Sequence, residues 1–387
     1  MMNIGVVGLG GGASQMIPAF VRHPHLRITA AADTDQSQLD QFRRVYSGET
    51  YLSAAALCRS SAVDAVYIAT PNQFHTEHAL TALEQGKHVL VEKPMTLTLD
   101  DADRMIEAAD RHGVQLAVNA KHSFEPRIRK LREIVLRGDL GRLRMLNYWY
   151  FSDWLYNPRT AEELNPALGG GVPWRQGPHQ IDMIRTLAGG LVRSVRAVTG
   201  VWDPSRPVAG SFSSFLEFEN GAVATVVYSG YDHFNSTTLT HAVDDGPNWS
   251  EPEPARARQA LRQAGSAEAE TAMKKARRFG GSSRSGPALP WILGGPLIVS
   301  FDRGDVRLTP KGLLIYGDED VQEMVTPAEV DGHDGVAAEF YEAVTENRRP
   351  LNDGRWGKAT LEVLLALFES GKARREVLLS HQVAARD

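Results

Sequence analysis

The stretch that decides the fold is Ile4-Gly5-Val6-Val7-Gly8-Leu9-Gly10-Gly11-Gly12-Ala13. Its apolar start predicts a β-strand, and its glycine-rich end matches the dinucleotide-binding fingerprint G-x-G-x-x-A. In this fingerprint Gly8 permits a tight turn, Gly10 lets a pyrophosphate approach the backbone, and Ala13 packs closely against the strand. Gly11 lies at the start of the following helix, whose unpaired N–H groups and positive dipole end attract phosphates. The stretch therefore predicts a dinucleotide site.

An acidic residue, Asp33, supports the same interpretation. It stands twenty residues after Ala13, at the end of the second predicted strand. A carboxylate there accepts hydrogen bonds from the adenosine ribose hydroxyls and repels a 2′-phosphate. The sequence therefore favours NAD, while NADP and a plain turn role for Asp33 stay open.

Residues 1–122 form the predicted NAD(P)-binding Rossmann domain, because apolar runs alternate with amphipathic stretches as in a doubly wound parallel sheet. The predicted strands are Ile4–Val7, Arg27–Ala32, Ala65–Ala69, His88–Val91 and Gln115–Val118, and the predicted helices are Ser37–Val45, Thr76–Gln85 and Leu99–His112.

Residues 123–387 form the predicted second domain, which is of the α+β type with an antiparallel or mixed sheet. Hairpin signals such as Glu219-Asn220-Gly221 separate its strand runs. The predicted strands are Arg142–Ser152, Val192–Thr199, Gly210–Glu219, Ala222–Ser229, Leu297–Ser300 and Gly312–Tyr316, and the predicted helices are Pro126–Arg137, Gly335–Thr345 and Trp356–Ser370.

Residues 243–290 look like an insertion in this second domain. The segment is rich in Pro, Gly and Ser, and Pro254–Arg278 has helical composition. It is a candidate lid, oligomer arm or mobile loop, or a solvated helix without a role in chemistry. A basic cluster and four glutamates lie in it: Arg256, Arg258, Arg262, Lys274, Lys275, Arg277, Arg278 and Arg284, with Glu251, Glu253, Glu268 and Glu270. Because Phe279 is almost the only aromatic residue there, we expect no nucleic-acid partner.

The composition of the 387 residues indicates a soluble protein with a substantial core. A formal net charge of −5 gives no general attraction to nucleic acid or acidic membranes. Cys58 is the only cysteine, which excludes an intrachain disulfide and favours the cytoplasm. The chain starts without a basic leader and has no apolar run of about 20 residues, so no signal peptide, membrane partner or metal site is predicted.

Two further groups of polar residues follow predicted strands, where the ligand crevice of such a sheet lies. Thr70 and Asn72 are candidates for holding the nicotinamide ribose, whereas His75 is expected to cap or pack. Glu92 and Lys93 end another strand. A partly desolvated lysine there has a lowered pKa and can move a proton, and Glu92 binds the ribose or orients Lys93.

The segment from 169 to 182 reads GGGVPWRQGPHQID and has the composition of a site rather than of a core element. Its three glycines, Gly169–Gly171, permit close approach of the backbone. A helix starting near Gly177 presents His179 and Asp182 one turn apart on one face.

Together these motifs resemble the glucose–fructose oxidoreductase / inositol dehydrogenase family over essentially the whole chain. The resemblance rests on the fingerprint, Asp33, the Thr70–Asn72 loop, Glu92-Lys93-Pro94, and the segment ending in His179 and Asp182. It implies an α/β fold, a Rossmann domain followed by an α+β domain with an open, mostly antiparallel sheet whose exposed face makes dimers or tetramers. It also implies hydride transfer between NAD(P) and a ring carbinol, with Lys93 as catalytic acid/base and His179 as its partner.

The chain departs from the family pattern at Arg175, where members usually carry an aspartate that binds sugar or cyclitol hydroxyls. A planar five-donor cation matches carboxylates instead. We therefore expect Arg175 to bind an acidic substrate, with the alternative that it pairs internally with Asp182 or Glu92. Trp174 beside it is a candidate to stack on a flat ring. The remaining candidate substrate-binding residues are Gln176, Asp182 and His122, with possible help from Lys121.

Within the family, residues 172–179, 298–305 and 309–312 look most like the phthalate cis-dihydrodiol dehydrogenases of aromatic degradation. Our first hypothesis is thus an NAD-dependent dehydrogenase of a carboxylated aromatic cis-dihydrodiol that yields a catechol. The second is a sugar, cyclitol or sugar-acid dehydrogenase of the same family. The third is a non-catalytic NAD(P)-sensing protein, against which the presence of both Lys93 and His179 argues.

Overall fold

The computed structural model describes residues 1–240, 255–281, 295–327 and 331–387. Its N-terminal sheet has six parallel strands: β1 Met2–Val7, β2 Leu26–Ala32, β3 Glu49–Tyr51, β4 Ala65–Ile68, β5 His88–Val91 and β6 Leu116–Val118. Their order is β3-β2-β1-β4-β5-β6. The first three strands are added toward one edge of the sheet, and the chain then crosses back to place β4 beside β1 and continues toward the other edge. This is the doubly wound sheet that the sequence predicts, with β3 as an additional short strand.

Five helices belong to this part of the chain: α1 Gly11–Arg22, α2 Gln36–Tyr46, α3 Ala54–Cys58, α4 His75–Glu84 and α5 Leu99–His112. Helix α5 shows why they form where they do. The Thr98 hydroxyl accepts a hydrogen bond from the Asp101 N–H at its N-terminus, and Gly113 ends it in the left-handed region with φ +64°. Both signals are visible in the sequence.

The second sheet has nine strands: β7 Leu143–Phe151, β8 Val192–Gly200, β9 Ser211–Phe218, β10 Val223–Ser229, β11 Leu297–Phe301, β12 Gly304–Leu308, β13 Gly312–Tyr316, β14 Val321–Val325 and β15 Val377–Leu378. Their order is β14-β13-β12-β11-β7-β10-β9-β8-β15. Among the described residues, β7 and β10 form its one parallel pair. The prediction of an open, mostly antiparallel sheet is confirmed, although β12, β14 and β15 are not apparent in the sequence.

The other helices are α6 Pro126–Arg137, α7 Val172–Arg175, α8 Gly177–Ala188, α9 Arg256–Ala264, α10 Ala267–Lys275, α11 Gly332–Thr345 and α12 Gly354–Ala373. Apolar residues of α6, α8 and α12 share one core with the inward side chains of the second sheet, such as Leu146, Tyr148 and Leu216. These helices cover one face of that sheet, and α8 carries the predicted catalytic histidine into the space between the domains.

Helix α11 follows the second sheet in sequence but packs on the first domain. Its residues Val336 and Phe340 share a core cluster with Met16 and Phe20 of α1. The boundary near residue 122 is a prediction from the sequence. The structure adds that the chain later returns to cover the Rossmann sheet.

The described part of the insertion is a pair of helices, α9 and α10. The helical composition predicted for Pro254–Arg278 is confirmed over Arg256–Ala264 and Ala267–Lys275, with a break at Gly265, where φ is +72°, and Pro254 lies outside the described residues. The rest of the predicted insertion, residues 243–254 and 282–290, lies outside the described residues. Within the described ranges, no helix is both long and apolar enough to cross a bilayer.

Candidate active site

The fingerprint loop is built to receive a dinucleotide pyrophosphate. Gly8 has φ +89°, and a Cβ atom there would lie 2.9 Å from the Ala69 backbone, so only glycine fits the turn. Helix α1 begins at Gly11 without a side-chain cap, and a Cβ atom on Gly11 would meet nothing within 4 Å. Ala13 is fully buried against the sheet. The open first turn of α1 thus fits a phosphate ligand.

Asp33 connects the end of β2 to this loop. Its carboxylate accepts hydrogen bonds from the Leu9 N–H at 2.7 Å and from the Asp35 N–H at 2.9 Å. The hydrogen bond from the Asp35 N–H is the local turn contact considered in the sequence analysis. The hydrogen bond from the Leu9 N–H holds the carboxylate beside the fingerprint loop. The placement fits an adenosine ribose and leaves a negative charge where a 2′-phosphate would lie.

Glu92 is partly buried directly after β5, within a polar network. Its Oε1 accepts hydrogen bonds from the Tyr67 hydroxyl at 2.5 Å and from Asn119 Nδ2 at 2.6 Å. Burial favours the neutral acid, but the charge of Lys93 and these hydrogen bonds hold the pKa of Glu92 below its usual value. Glu92 therefore supplies a fixed negative charge beside Lys93. Sequence reasoning missed Asn119, although it follows β6 just as the other crevice residues follow their strands.

Lys93 lies between the two domains, and the Lys93–Pro94 peptide is cis. Its Nζ donates a hydrogen bond to the backbone carbonyl of Arg175 at 2.7 Å. Burial lowers the pKa of Lys93 to about 7, opposed by Glu92 and reinforced by the charges of Arg175, Lys121 and Arg159. A large fraction of this amine is therefore neutral near neutral pH.

His179 and His122 stack on each other, with ring centroids 4.4 Å apart and planes inclined by 17°. Burial lowers the pKa of both imidazoles well below the ordinary value, and the charges of Lys93 and Lys121 add to the effect. Both rings are thus neutral at physiological pH. Neither Nδ1 atom has a hydrogen-bond partner among the described residues. His179 lines the small cavity beside Lys93, so the pair lies next to the crevice.

Asp182 lies one turn after His179, as predicted, and lines a small cavity together with Lys93 and His179. Its two carboxylate oxygens accept hydrogen bonds from the Ser123 hydroxyl and from Trp356 Nε1, the latter at 2.5 Å. Burial raises the pKa of Asp182 to about 6. These contacts tie α8 to its neighbours, so the structure places Asp182 in support of the site.

The glycines at 169–171 approach the chain itself. A Cβ atom would lie 2.8 Å from Asn72 Nδ2 at position 169, 2.6 Å from the Glu163 carbonyl oxygen at 170, and 2.6 Å from the Ala209 carbonyl oxygen at 171. Asn72 Nδ2 also donates to the Gly169 carbonyl at 3.1 Å. The close backbone approach that the sequence predicts is therefore an approach to Asn72, Glu163 and Ala209 of the same chain.

The loop after β4 also makes internal contacts. The Thr70 hydroxyl lies 3.1 Å from His78 Nδ1. His75 is buried, and its ring nitrogens lie 2.8 Å from the Pro94 carbonyl and 2.9 Å from the Thr70 carbonyl. The packing role expected for His75 is confirmed. Thr70 and Asn72 remain candidate ribose ligands.

Arg175 pairs internally, but with neither of the partners considered from the sequence. Its Nη2 lies 2.7 Å from Glu163 Oε1, and a quarter of its side chain stays exposed. Gln176, which follows it, occupies the N-cap position of α8, and its side chain makes no capping hydrogen bond there. Glu163 lies in a short 3₁₀ turn with no motif around it, so no sequence signal pointed to it.

Trp174 requires a correction. It is 9% exposed, belongs to a core cluster of the first domain, and stacks on Phe368 with ring centroids 5.5 Å apart. The expectation that it stacks on a substrate ring does not fit this placement, because its ring is taken up by packing between α7 and α12.

The comparisons with known proteins agree with this geometry. Residues 2–120 match a family described as the oxidoreductase family with an NAD-binding Rossmann fold, and residues 128–244 match the GFO/IDH/MocA C-terminal domain. A solved structure of an assumed dehydrogenase from Bordetella bronchiseptica RB50 is 40% identical, covers 98% of this chain and 100% of its own, and has a TM-score of 0.89.

Two curated relatives bear on the substrate. A 1-carboxy-3-chloro-3,4-dihydroxycyclohexa-1,5-diene dehydrogenase from Comamonas testosteroni is 37% identical over 96% of this chain and 95% of its own length. A D-glucoside 3-dehydrogenase from Escherichia coli K12 is 29% identical over 57% of this chain and 68% of its own length.

Proposed function

Because the chain belongs to the GFO/IDH/MocA family of NAD(P)-dependent oxidoreductases, we propose that it oxidises a carboxylated aromatic cis-dihydrodiol with NAD⁺. The observation that carries this proposal is the group of cations around the crevice. Arg175, Lys121 and Arg159 all lie close enough to lower the pKa of Lys93 by their charge. A crevice of this charge favours an anionic substrate. The name of the Comamonas relative specifies a ring with one carboxyl and two vicinal hydroxyl groups.

The oxidation converts one ring carbinol to a ketone. The fingerprint loop and Asp33 would hold NAD⁺, which would supply a hydride acceptor for the carbinol carbon, and the hydroxyl proton would pass to a base of the protein. The ketone then tautomerises to a catechol, so the products are the catechol, NADH and one proton. Aromatisation of the ring makes this direction favourable.

Lys93 is the proposed general base. Its pKa of about 7 matches the operating pH, which is where general-base catalysis is most effective. One N–H is donated to the Arg175 carbonyl, and this contact aims Nζ while leaving the nitrogen lone pair for the substrate hydroxyl. His179, kept neutral and supported by His122, is proposed to bind the same diol from the other side.

A second candidate function is the oxidation of a sugar, cyclitol or sugar acid. The similarity to the D-glucoside dehydrogenase favours it. Glu92 and Asp182 are acceptors of the kind that bind polyols, but both Asp182 oxygens already accept from Ser123 and Trp356. Glu92 Oε1 accepts from Tyr67 and Asn119, and its Oε2 accepts from the Lys93 backbone N–H at 3.3 Å. The cation cluster distinguishes the first proposal from oxidation of a neutral sugar or cyclitol, since a neutral substrate gives the cluster no partner.

The test is a substrate panel followed by NADH absorbance. A carboxylated cis-dihydrodiol should give the highest kcat/KM, ahead of the uncharged cis-dihydrodiol of the same ring, inositol and neutral sugars. NAD⁺ should be used better than NADP⁺, because Asp33 repels a 2′-phosphate. Faster turnover of a neutral sugar would contradict the first proposal and favour the second. NAD binding without turnover of any compound would favour a sensor.

We also propose that the chain forms a homo-oligomer through the open face of the second sheet. Large apolar side chains stand exposed on neighbouring strands of this face: Met145, Trp149, Val198, Phe215 and Ile298. Several large apolar side chains exposed on one sheet face are typical of an interaction surface.

Light scattering after size exclusion should give the mass of a dimer or tetramer. A Trp149→Glu, Phe215→Glu double variant should shift the mass toward that of the monomer, and a wild-type monomer would contradict the proposal.

A further inference from the structure

The described part of the insertion, residues 255–281, crosses from the second domain to the cofactor fingerprint; we refer to it as the arm. After α10 its end lies on the first domain. The Phe279 N–H donates to the Leu9 carbonyl at 3.1 Å, and Arg278 Nη1 lies 3.1 Å from Asp35 Oδ2. The Phe279 ring is buried near Phe42 of α2. The arm therefore has a fixed position over the cofactor domain.

One lysine of the arm joins the ion pair of Arg175, the residue whose backbone carbonyl accepts from Lys93. Lys274, in the last turn of α10, has its Nζ 2.8 Å from Glu163 Oε1. The same oxygen accepts from Arg175 Nη2 at 2.7 Å, and the other carboxylate oxygen accepts from the Thr160 N–H at 3.0 Å. Lys274 and Arg175 thus share a single carboxylate oxygen, and about a quarter of each side chain stays exposed.

The charges at this point do not balance. Burial disfavours the ionised form of Glu163, yet Arg175, Lys274 and Arg159 hold its pKa at about 2. Arg159 is buried, and its Nε has no hydrogen-bond partner among the described residues. The neighbouring Glu270 accepts from Arg206 and from the Arg159 backbone N–H. Three cations therefore face the one carboxylate of Glu163.

Clustered cations with one shared counter-ion are costly when partly desolvated, because each charge loses hydration without a full partner. Burial lowers the pKa of Lys274 to about 8, opposed by Glu163 and reinforced by Arg159 and Arg175. A second carboxylate would relieve the imbalance. It would have to come from a ligand, since the protein carboxylates in contact with this cluster are Glu163 and Glu270 among the described residues.

We propose that Lys274 of the arm is a specificity-determining residue that binds the substrate carboxylate together with Arg175. Glu163 is the internal counter-ion that holds the two cations at one spacing. This inference rests on the proposed function and adds that the insertion forms part of the substrate site. The arm also contacts Leu9 and Asp35 of the cofactor domain. These contacts help to fix the position of Lys274.

The experiment compares Lys274→Met, Lys274→Arg and the matched control Lys275→Met. Lys275 follows Lys274 on the same helix but is exposed, so its loss removes the same charge away from the crevice. The measured quantity is kcat/KM for a carboxylated cis-dihydrodiol divided by kcat/KM for the uncharged cis-dihydrodiol of the same ring. The Lys274→Met variant should lower this ratio about tenfold, the size expected for loss of one charged hydrogen bond in a half-open site. Lys274→Arg and Lys275→Met should keep the ratio within about threefold of the wild type.

Equal losses on both substrates, or no loss on either, would overturn the inference, because a structural ion pair does not distinguish the two. If the wild type oxidises neither compound, the proposed function fails separately. Titration calorimetry with 3,4-dihydroxybenzoate and catechol as probes then decides the role of Lys274. Tighter binding of the carboxylated probe that is lost in Lys274→Met and kept in Lys275→Met retains the inference, and any other pattern overturns it.

Discussion

Replacement of Lys93 by methionine is expected to lower kcat by about 10³-fold while leaving NAD⁺ binding nearly unchanged, because a positioned general base contributes on this scale. Methionine preserves the length and volume of the side chain but has no nitrogen to take the hydroxyl proton. The rate is measured as NADH formation at saturating substrate, and NAD⁺ binding by calorimetry. The Lys93 side chain is not among the atoms around Gly8 and Gly11 of the fingerprint loop, which is proposed to hold the pyrophosphate.

The pH dependence of kcat tests the same role of Lys93. The neutral amine is the active form, and its population grows as the pH rises through about 7. The wild-type kcat should therefore rise with pH and level off above this value, while the residual rate of Lys93→Met should lack the step. The stability contribution of Lys93 changes with pH in the same direction as its activity. Since the folded-state pKa of Lys93 lies below its usual value, folding favours the neutral amine, and stability from this group is lost as the pH falls through about 7.

Lys93→Arg separates proton transfer from charge. Arginine keeps a cation and N–H donors beside Glu92 and the Arg175 carbonyl, but it does not deprotonate near neutral pH. It should lose activity nearly as completely as the methionine variant, with a melting temperature closer to that of the wild type. Activity within tenfold of the wild type in Lys93→Arg would show that the lysine does not act as the base.

The sequence predicts the cofactor side of the site well because that side is local. The fingerprint, Asp33 and Glu92-Lys93 each sit at the carboxyl end of a strand, and a parallel sheet brings these ends to one edge. Helix α8 is also local, since its glycine and proline start and its spacing of His179 and Asp182 are set within a few residues. For these residues, knowing the strands is nearly enough to know the site.

The substrate side depends on contacts between residues far apart in the sequence. Glu163 and Lys274 are 111 positions apart, and neither belongs to a motif. The sequence around Trp174 is the same whether its ring faces a substrate or packs on Phe368. The packing of α12 decides between the two. Glycines 169–171 permit close approach, but the sequence does not say to what. Such features are fixed by tertiary packing, which local patterns do not encode.

Arg175→Met is expected to lower kcat/KM for a carboxylated cis-dihydrodiol by roughly 10- to 100-fold, the range for losing hydrogen bonds between charged groups. The uncharged cis-dihydrodiol of the same ring should change by less than about threefold, because Lys93 binds the Arg175 backbone carbonyl, which the substitution keeps. The measurement is the pair of kcat/KM values for each variant. Arg193→Met is the matched control, since Arg193 lies exposed on β8, and it should change neither value.

Arg175→Asp restores the residue type that the family usually carries, but it is the less informative substitution here. The new carboxylate would lie against Glu163, which now accepts from the Arg175 guanidinium at 2.7 Å. Two like charges would then meet where a cation and a carboxylate now pair, with Lys274 and Arg159 as the remaining cations. A loss of activity in that variant would therefore mix like-charge repulsion with loss of substrate binding. Methionine removes the cation without adding an anion, so its effect reports the carboxylate contact. An unchanged ratio of the two substrates in Arg175→Met would show that Arg175 serves only Glu163, and the acidic substrate would then have to be recognised elsewhere in the crevice.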